Sequence, residues 1–220
     1  MPSAEAPLLV IFDCDGVLVD SEPPANRVLS EAIVELGLPA TFESVTARFK
    51  GRSLSDCVKL IESDLGRSVP ADFLTRLNER TFAAFRDELE AVPGVRAVLE
   101  GLSLPRCVAS SGSHEKMRFT LGLTALLPWF EPHLFSATQV ERGKPAPDLF
   151  LFAAKSMGVP AERCVVVEDS VPGICGAVAA GMRVLGFARE GSPEELCAAG
   201  AEVFLHMDEL LPRLMQSHPG

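Results

Sequence analysis

The segment that decides the fold is residues 8–22, Leu8-Leu9-Val10-Ile11-Phe12-Asp13-Cys14-Asp15-Gly16-Val17-Leu18-Val19-Asp20-Ser21-Glu22. Its first five residues are apolar, which is typical of a short strand covered on both faces of a sheet. Asp13 and Asp15 follow, and a spacing of two places their side chains on one side of an extended chain. Two carboxylates held this close need a cation or a proton between them. The segment therefore predicts a buried strand that ends at a chemically active site.

Further apolar segments alternate with helical patterns from residue 93 onward. They span Arg106 to Ser110, His133 to Ala137, Arg163 to Val167, Arg183 to Phe187 and Glu202 to Leu205. Strands that alternate with helices in this way are typical of an α/β fold with a parallel sheet.

The segment between the first two strands has a different pattern. Apolar residues recur there at helical spacing, as in Val28, Leu29, Ala32, Ile33 and Leu36, which precede Gly37. We therefore predict an all-helical domain at residues 21–90, inserted into an α/β core formed by residues 1–20 and 91–220. Two hinge-like crossings would join them, so the inserted domain would act as a cap that opens and closes over the strand ends.

Composition limits the classes of partner. The 220 residues carry a formal net charge of -10, which argues against nucleic acid as a partner. The six cysteines include no C-x-x-C pair, which indicates a reducing compartment. The N-terminus has no basic region and no apolar run is long enough for a membrane helix, so we expect no membrane partner and a cytoplasmic location. We expect a monomer or a small homo-oligomer.

Polar groups follow several of the predicted strands. They are Asp13, Asp15 and Gly16 after the first strand, Ser110, Ser111 and Gly112 after the second, Lys144 before the helix that opens at Pro147, and Glu168, Asp169, Ser170 and Gly173 after the fourth. Ligands of open α/β sheets bind beyond the carboxyl ends of the strands, so these groups are expected to form one site. Taken singly, Lys144 could be a surface lysine, Ser110 a strand-end cap and the acidic trio at 168–170 a helix N-cap.

The carboxylates in this set predict a metal. Asp13, Glu168 and Asp169 would form an oxygen-only site of the kind that holds Mg²⁺, and no cluster of His and Cys in the sequence favours zinc. A substrate phosphate is the expected partner of such an ion. Mg²⁺ and Lys144 would offset its negative charge.

The same groups predict a reaction. The Ser110 hydroxyl and the backbone N–H groups near Ser111 and Gly112 would donate hydrogen bonds to the phosphate. Asp13 is the candidate nucleophile, which would form an aspartyl-phosphate. Asp15 is the candidate acid and base, which would protonate the leaving oxygen and then accept a proton from water or a second hydroxyl.

Four motifs resemble those of the haloacid dehalogenase (HAD) superfamily and, more narrowly, its β-phosphoglucomutase-like subfamily. They are Asp13-x-Asp15-Gly16-x-Leu18-x-Asp20-Ser21-Glu22, Ser110 with Gly112, Lys144-Pro145-x-Pro147-Asp148, and Glu168-Asp169-Ser170-x-x-Gly173. The resemblance implies a Rossmann-like core with a helical cap inserted after the first motif. It also implies Mg²⁺ bound by Asp13, the backbone carbonyl of Asp15 and Asp169, with Glu168 in support. Dehalogenases of this superfamily lack the second aspartate, so Asp15 argues against dehalogenation.

One segment of the predicted cap helps to distinguish a phosphatase from a mutase. Lys50, Gly51, Arg52 and Ser53 resemble the subfamily's Lys-Gly-x-Ser segment and are candidate substrate contacts. Lys50 could also be a solvated lysine at a helix end. β-Phosphoglucomutases carry an arginine directly after that serine, where this chain has Leu54. They also carry a histidine five residues after the position of Asp20, where this chain has Ala25.

Both departures favour a phosphatase over a mutase. The leading hypothesis is a Mg²⁺-dependent phosphatase that acts on small phosphorylated metabolites, either sugar phosphates or phosphorylated sugar acids. A hexose-phosphate mutase of the β-phosphoglucomutase type is the alternative. A non-catalytic HAD-like binding protein is disfavoured, because such a protein is expected to lack one of the acids that this chain retains.

Overall fold

The computed structural model describes residues 7–49 and 54–215. Its contacts divide the chain into two compact units. Met1–Asp20 and Glu90–Gly220 form the first, here called the core unit, and Ser21–Leu89 forms the second, here called the helical unit. The chain therefore leaves the core unit after Asp20 and returns to it at Glu90.

The core unit contains a six-stranded sheet in the order β3-β2-β1-β4-β5-β6. The strands are β1 (Leu9–Phe12), β2 (Arg106–Ser110), β3 (Leu134–Ser136), β4 (Cys164–Glu168), β5 (Arg183–Phe187) and β6 (Glu202–Phe204). Every neighbouring pair is parallel. The predicted α/β fold class with a parallel Rossmann-like sheet is confirmed. β1 lies between β2 and β4, which explains why its four residues are all buried and apolar.

Helices connect the strands of the core unit. They are α5 (Val95–Gly101), α6 (His114–Leu123), α7 (Asp148–Ser156), α8 (Val171–Ala179), α9 (Pro193–Ala198) and α10 (Leu210–Met215). Short 3₁₀ helices lie at Leu127–Trp129, Ala137–Gln139, Ala161–Arg163 and Met207–Glu209. Leu149 and Phe150 of α7 and Ile174 of α8 are buried in one cluster with Ile11 of β1, so these helices fix the strand ends from one side.

The helical unit contains α1 (Glu22–Glu35), α2 (Phe42–Phe49), α3 (Leu54–Leu65) and α4 (Phe73–Glu88). Its apolar core includes Ile33, Val45, Ile61 and Leu77, so each of the four helices contributes a buried side chain. The unit therefore has a hydrophobic core of its own, as expected of an inserted domain. Among the described residues, no helix has both the length and the apolar character that crossing a membrane requires.

Candidate active site

The ends of three adjacent strands position the central side chains of the site. Asp13 directly follows β1, and its N–H donates to the Val167 carbonyl at 2.9 Å, so it continues the pairing with β4. Ser110 is the last residue of β2, and Glu168 is the last residue of β4. All three polar side chains are buried. Buried polar groups require partners, and their partners define the chemistry of the site.

Lys144 is the partner that Asp13 and Glu168 share. Its ammonium donates to Glu168 Oε1 at 2.6 Å and also to Asp13 Oδ1. The side chain is only 5% exposed, and it lies above the Phe150 ring at 5.1 Å. Burial alone would lower the pKa of Lys144, but the two carboxylates more than offset this and raise it. Lys144 is therefore a buried, charged member of the cluster and not an ordinary surface lysine.

Asp13 lies in a surplus of negative charge. Burial raises its pKa to about 7, and the carboxylates of Glu168 and Asp15 contribute to the rise. The Lys144 ammonium acts in the opposite direction but does not cancel these effects. A nucleophilic carboxylate must be ionised, so a second cation beside Asp13 would favour the reactive form.

Both oxygens of Glu168 already accept hydrogen bonds from protein groups. Oε1 accepts from Lys144, and Oε2 accepts from the Ser170 N–H at 2.7 Å and the Ser170 hydroxyl at 2.9 Å. Gly173 allows this arrangement, because a Cβ there would lie 1.7 Å from Glu168 Oε1. Glu168 is thus arranged to orient Lys144 and the first turn of α8. Its predicted part in metal binding stays a prediction.

The Asp169 carboxylate lies against the loop that follows β1. A Cβ on Gly16 would be 2.0 Å from Asp169 Oδ2, and Gly16 has a φ of +80°, which favours glycine. Within residues 7–49 and 54–215, no group of three or more His, Cys, Asp or Glu side chains forms a complete metal site. A cation here would need main-chain oxygens or water in addition to carboxylates. The predicted ligands, which are the Asp13 and Asp169 carboxylates and the Asp15 carbonyl, would supply only oxygen atoms, and their part in binding Mg²⁺ stays a prediction.

The loop after β2 is held by two serines. Ser110 Oγ accepts a hydrogen bond from the Gly112 N–H at 3.0 Å, which leaves the hydroxyl able to donate its own proton. The Ser136 hydroxyl donates to the Gly112 carbonyl at 2.7 Å. Ser111 is exposed within this loop. Ser136 is not among the predicted site residues, although its place at the carboxyl end of the third predicted strand was a usable signal.

Asp15 has a different environment from Asp13. Its side chain is 30% exposed, and its Oδ2 accepts a hydrogen bond from Lys116 Nζ at 2.8 Å. Burial would lower the pKa of Lys116, but the Asp15 carboxylate more than offsets this and raises it. Lys116 is likewise not among the predicted site residues, because a single lysine in the first turn of a helix forms no distinctive sequence pattern. Asp13 therefore contacts Lys144, whereas Asp15 contacts Lys116.

Four predicted substrate contacts are not placed by the structure. Lys50, Gly51, Arg52 and Ser53 lie outside the described residues. Their predicted role stays a prediction.

Comparison with known proteins identifies the family. Residues 8–181 match the family model of the haloacid dehalogenase-like hydrolases. The 6-phosphogluconate phosphatase of Escherichia coli is 34% identical over 202 residues, which cover 91% of each chain. Hexitol phosphatase A of Escherichia coli is 33% identical over 179 residues, which cover 80% of each chain.

A solved structure agrees with this assignment. A HAD family hydrolase from Deinococcus radiodurans, with bound phosphate and sodium, has a TM-score of 0.81 and 30% identity. The match covers 98% of this chain and 100% of that chain. The resemblance seen in the four sequence motifs is confirmed at the level of the family. This chain belongs to the haloacid dehalogenase-like hydrolases.

Proposed function

We propose that this protein is a Mg²⁺-dependent phosphatase that hydrolyses small phosphorylated metabolites, either sugar phosphates or phosphorylated sugar acids, through an aspartyl-phosphate. One observation carries the proposal. Asp13 and Asp15 are two residues apart but have different environments, since Asp13 is buried against Lys144 and Asp15 is partly exposed beside Lys116. Two carboxylates in unlike surroundings suit the separate tasks of nucleophile and proton carrier.

Asp13 and Asp15 act together in the first step. A carboxylate oxygen of Asp13 attacks phosphorus, and the bond between phosphorus and the leaving oxygen breaks. Asp15, protonated at the start, gives its proton to the leaving oxygen, which departs as an alcohol. Lys144 offsets negative charge on Asp13 and on the phosphoryl oxygens, and the Ser110 hydroxyl donates to one of those oxygens.

The second step returns the enzyme to its starting state. Asp15, now ionised, accepts a proton from water while the water oxygen attacks the phosphorus of the aspartyl-phosphate. The bond between phosphorus and Asp13 breaks, which releases inorganic phosphate and restores the carboxylate. Asp13, Asp169 and the Asp15 carbonyl would hold Mg²⁺. When bound, this ion supplies positive charge that stabilises the transferring phosphoryl group.

The similar proteins support the substrate class. One relative is named for 6-phosphogluconate, a phosphorylated sugar acid, and another for hexitol phosphates. A similar solved structure contains bound phosphate and sodium, which supports phosphate as a ligand of this family. The substrate we propose to test first is therefore 6-phosphogluconate, followed by hexitol and hexose phosphates.

A substrate panel tests the proposal. Phosphate release is measured with 6-phosphogluconate, sugar phosphates and nucleotides in Mg²⁺ and after chelation, and isomerisation of β-glucose 1-phosphate is measured in parallel. We expect Mg²⁺-dependent release from the sugar compounds and an acid-stable, hydroxylamine-labile phosphoryl label on the wild-type enzyme. Isomerisation without net phosphate release would instead identify a mutase, and absence of turnover with every substrate would refute the phosphatase.

A further inference from the structure

We propose that Lys116 is a positioning residue that holds the Asp15 carboxyl group in place, through Oδ2, for proton transfer from its other oxygen to the leaving oxygen. The assignment rests on the proposed phosphatase function, and it concerns a residue that lies outside all four sequence motifs.

The contact joins two distant parts of the chain. Lys116 Nζ donates to Asp15 Oδ2 at 2.8 Å, although the residues are 101 positions apart in sequence. The side chains are 32% and 30% exposed, so the pair lies at the rim of the site and not in its buried centre. An aspartate this exposed has several rotamers available unless a partner selects one of them.

The backbone and stem of Lys116 are held on the core unit. Lys116 lies in the first turn of α6, where its N–H donates to the Ser113 hydroxyl at 3.2 Å. Its stem passes beside Gly112, where a Cβ would lie only 3.3 Å from Lys116 Cδ. Met117 and Leu121 are buried and anchor the helix. The Lys116 ammonium therefore extends to Asp15 from a backbone and a stem that are already held in place. Less side-chain conformational entropy is lost when the two side chains pair.

The same helix also contacts the loop that carries the aspartates. The Cys14 thiol lies 3.9 Å from the Thr120 hydroxyl, and both side chains are buried. Thr120 follows Lys116 by one helical turn, and its hydroxyl donates to the Lys116 carbonyl at 3.0 Å. Residues on both sides of Lys116 along α6 thus fix its distance from Asp15.

The charge of Lys116 also affects the position of Asp15 relative to Asp13. Asp13 and Asp15 repel each other, since the charge of Asp15 contributes to the raised pKa of Asp13. Lys144 holds Asp13, and Lys116 holds Asp15 at a separate point. Two ammonium groups therefore keep the carboxylates in distinct positions. Misplacing a reacting group by about 1 Å can cost about a hundredfold in rate, so this separation has a direct effect on proton transfer.

A comparison of two substrates whose leaving groups differ in their need for a proton tests the proposal. Release of an alcohol from 6-phosphogluconate, or from the sugar phosphate that is turned over fastest, requires a proton from Asp15. Release of nitrophenolate from p-nitrophenyl phosphate requires little protonation. Single-turnover rates with enzyme in excess, and KM from steady-state assays, are compared for wild type, Lys116→Met, Lys116→Arg, Asp15→Asn and Lys155→Met. Lys155 is an exposed lysine on α7 and serves as the matched control.

We expect Lys116→Met to lower the single-turnover rate of the alkyl substrate by about tenfold to a hundredfold, with little change in KM and less than about a threefold effect on nitrophenolate release. Asp15→Asn should show the same dependence on the leaving group to a greater degree. Lys116→Arg should restore most of the lost rate, and Lys155→Met should match wild type. Equal losses with both substrates together with a raised KM would overturn the proposal in favour of substrate binding. Wild-type rates in Lys116→Met would overturn it outright.

A crystal structure of Lys116→Met provides a readout that does not depend on activity. We expect the Asp15 side chain to occupy another rotamer or to show raised B-factors relative to Asp13. An Asp15 carboxylate in its original place and equally ordered would overturn the positioning role. If wild type turns over no phosphorylated substrate while Asp15 still moves in the variant, the phosphatase function fails and the positioning of Asp15 by Lys116 stands.

Discussion

Lys144 donates a hydrogen bond to Glu168 across 2.6 Å, and this bond joins the loop before α7 to the last residue of β4. The Lys144 side chain is 5% exposed and that of Glu168 is 1% exposed, so the two charges pair almost entirely out of water. Asp13 shares the same ammonium. A buried ion group of this kind is costly to break from one side, because the remaining charges lose their compensation.

Lys144→Met should therefore lower both stability and activity. Loss of the ammonium leaves Asp13 and Glu168 as uncompensated buried carboxylates, and we expect a destabilisation of about 3–5 kcal/mol in urea denaturation at pH 8. Phosphate release should fall by at least about a hundredfold. Adding Glu168→Gln to this variant should recover part of the stability, since one buried charge is removed. An unchanged denaturation midpoint in Lys144→Met would contradict the buried pairing.

Asp13→Asn should abolish phosphate release while leaving the fold intact. Removing a nucleophile that works together with a proton carrier costs about a thousandfold or more, which a phosphate-release assay detects readily. An acid-quenched phosphoryl label should disappear as well. Turnover at the wild-type rate in Asp13→Asn would refute the nucleophile assignment.

The same variant should show a pH-dependent gain in stability. The pKa of Asp13 is raised to about 7, above its usual 3.8, so the folded protein binds this proton more tightly than the unfolded chain. The contribution to stability is thus present at low pH and is lost as pH rises towards 7. Without divalent cations, Asp13→Asn should melt higher than wild type at pH 8, and the difference should shrink at pH 5. Asp87→Asn, at an exposed position on α4, should show no such dependence.

Gly173→Ala should disturb the site although alanine favours helices. A Cβ at position 173 would lie 1.7 Å from Glu168 Oε1, so the carboxylate that orients Lys144 must move. We expect activity to fall by at least about tenfold, because charge positioning in the site is altered. Gly122→Ala is the matched control, since a Cβ in this α6 position meets nothing within 4 Å. It should leave activity unchanged and stabilise the protein by up to about 1 kcal/mol.

Glu209→Gln should weaken the fold near neutral pH but not in acid. Glu209 accepts hydrogen bonds from the Arg213 side chain at 2.7 Å and from the N–H groups of Leu205 and His206, each at 3.0 Å. These interactions, led by Arg213, lower its pKa from 4.5 to about 2. Its contribution to stability is present above pH 4.5 and is lost as pH falls towards 2. Thermal melts should show a loss of about 1 kcal/mol at pH 6 that fades near pH 2. Glu100→Gln, at an exposed position on α5, should have little effect at either pH.

The local pattern of apolar residues was sufficient to predict most strands of the sheet. The predicted strands at Arg106–Ser110 and Arg183–Phe187 match β2 and β5. The strand predicted at 163–167 is shifted by one residue, because Arg163 ends a 3₁₀ helix and Glu168 still pairs with Gly186. The strand predicted at 133–137 is shorter, because Ser136 caps the next 3₁₀ helix. Strand ends shift where a cap or a neighbouring strand competes for the same backbone groups.

The sequence by itself determined the fold class, the family and the residues most suited to chemistry, because apolar periodicity and motif spacing are local properties of the chain. Only the tertiary structure decided which charges meet. The strand order brings β1 between β2 and β4, so Lys116 reaches Asp15 and Lys144 reaches both Asp13 and Glu168. These contacts connect residues far apart in sequence, and their geometry depends on how helices and loops pack against the finished sheet. The spacing of residues along the chain does not determine that packing.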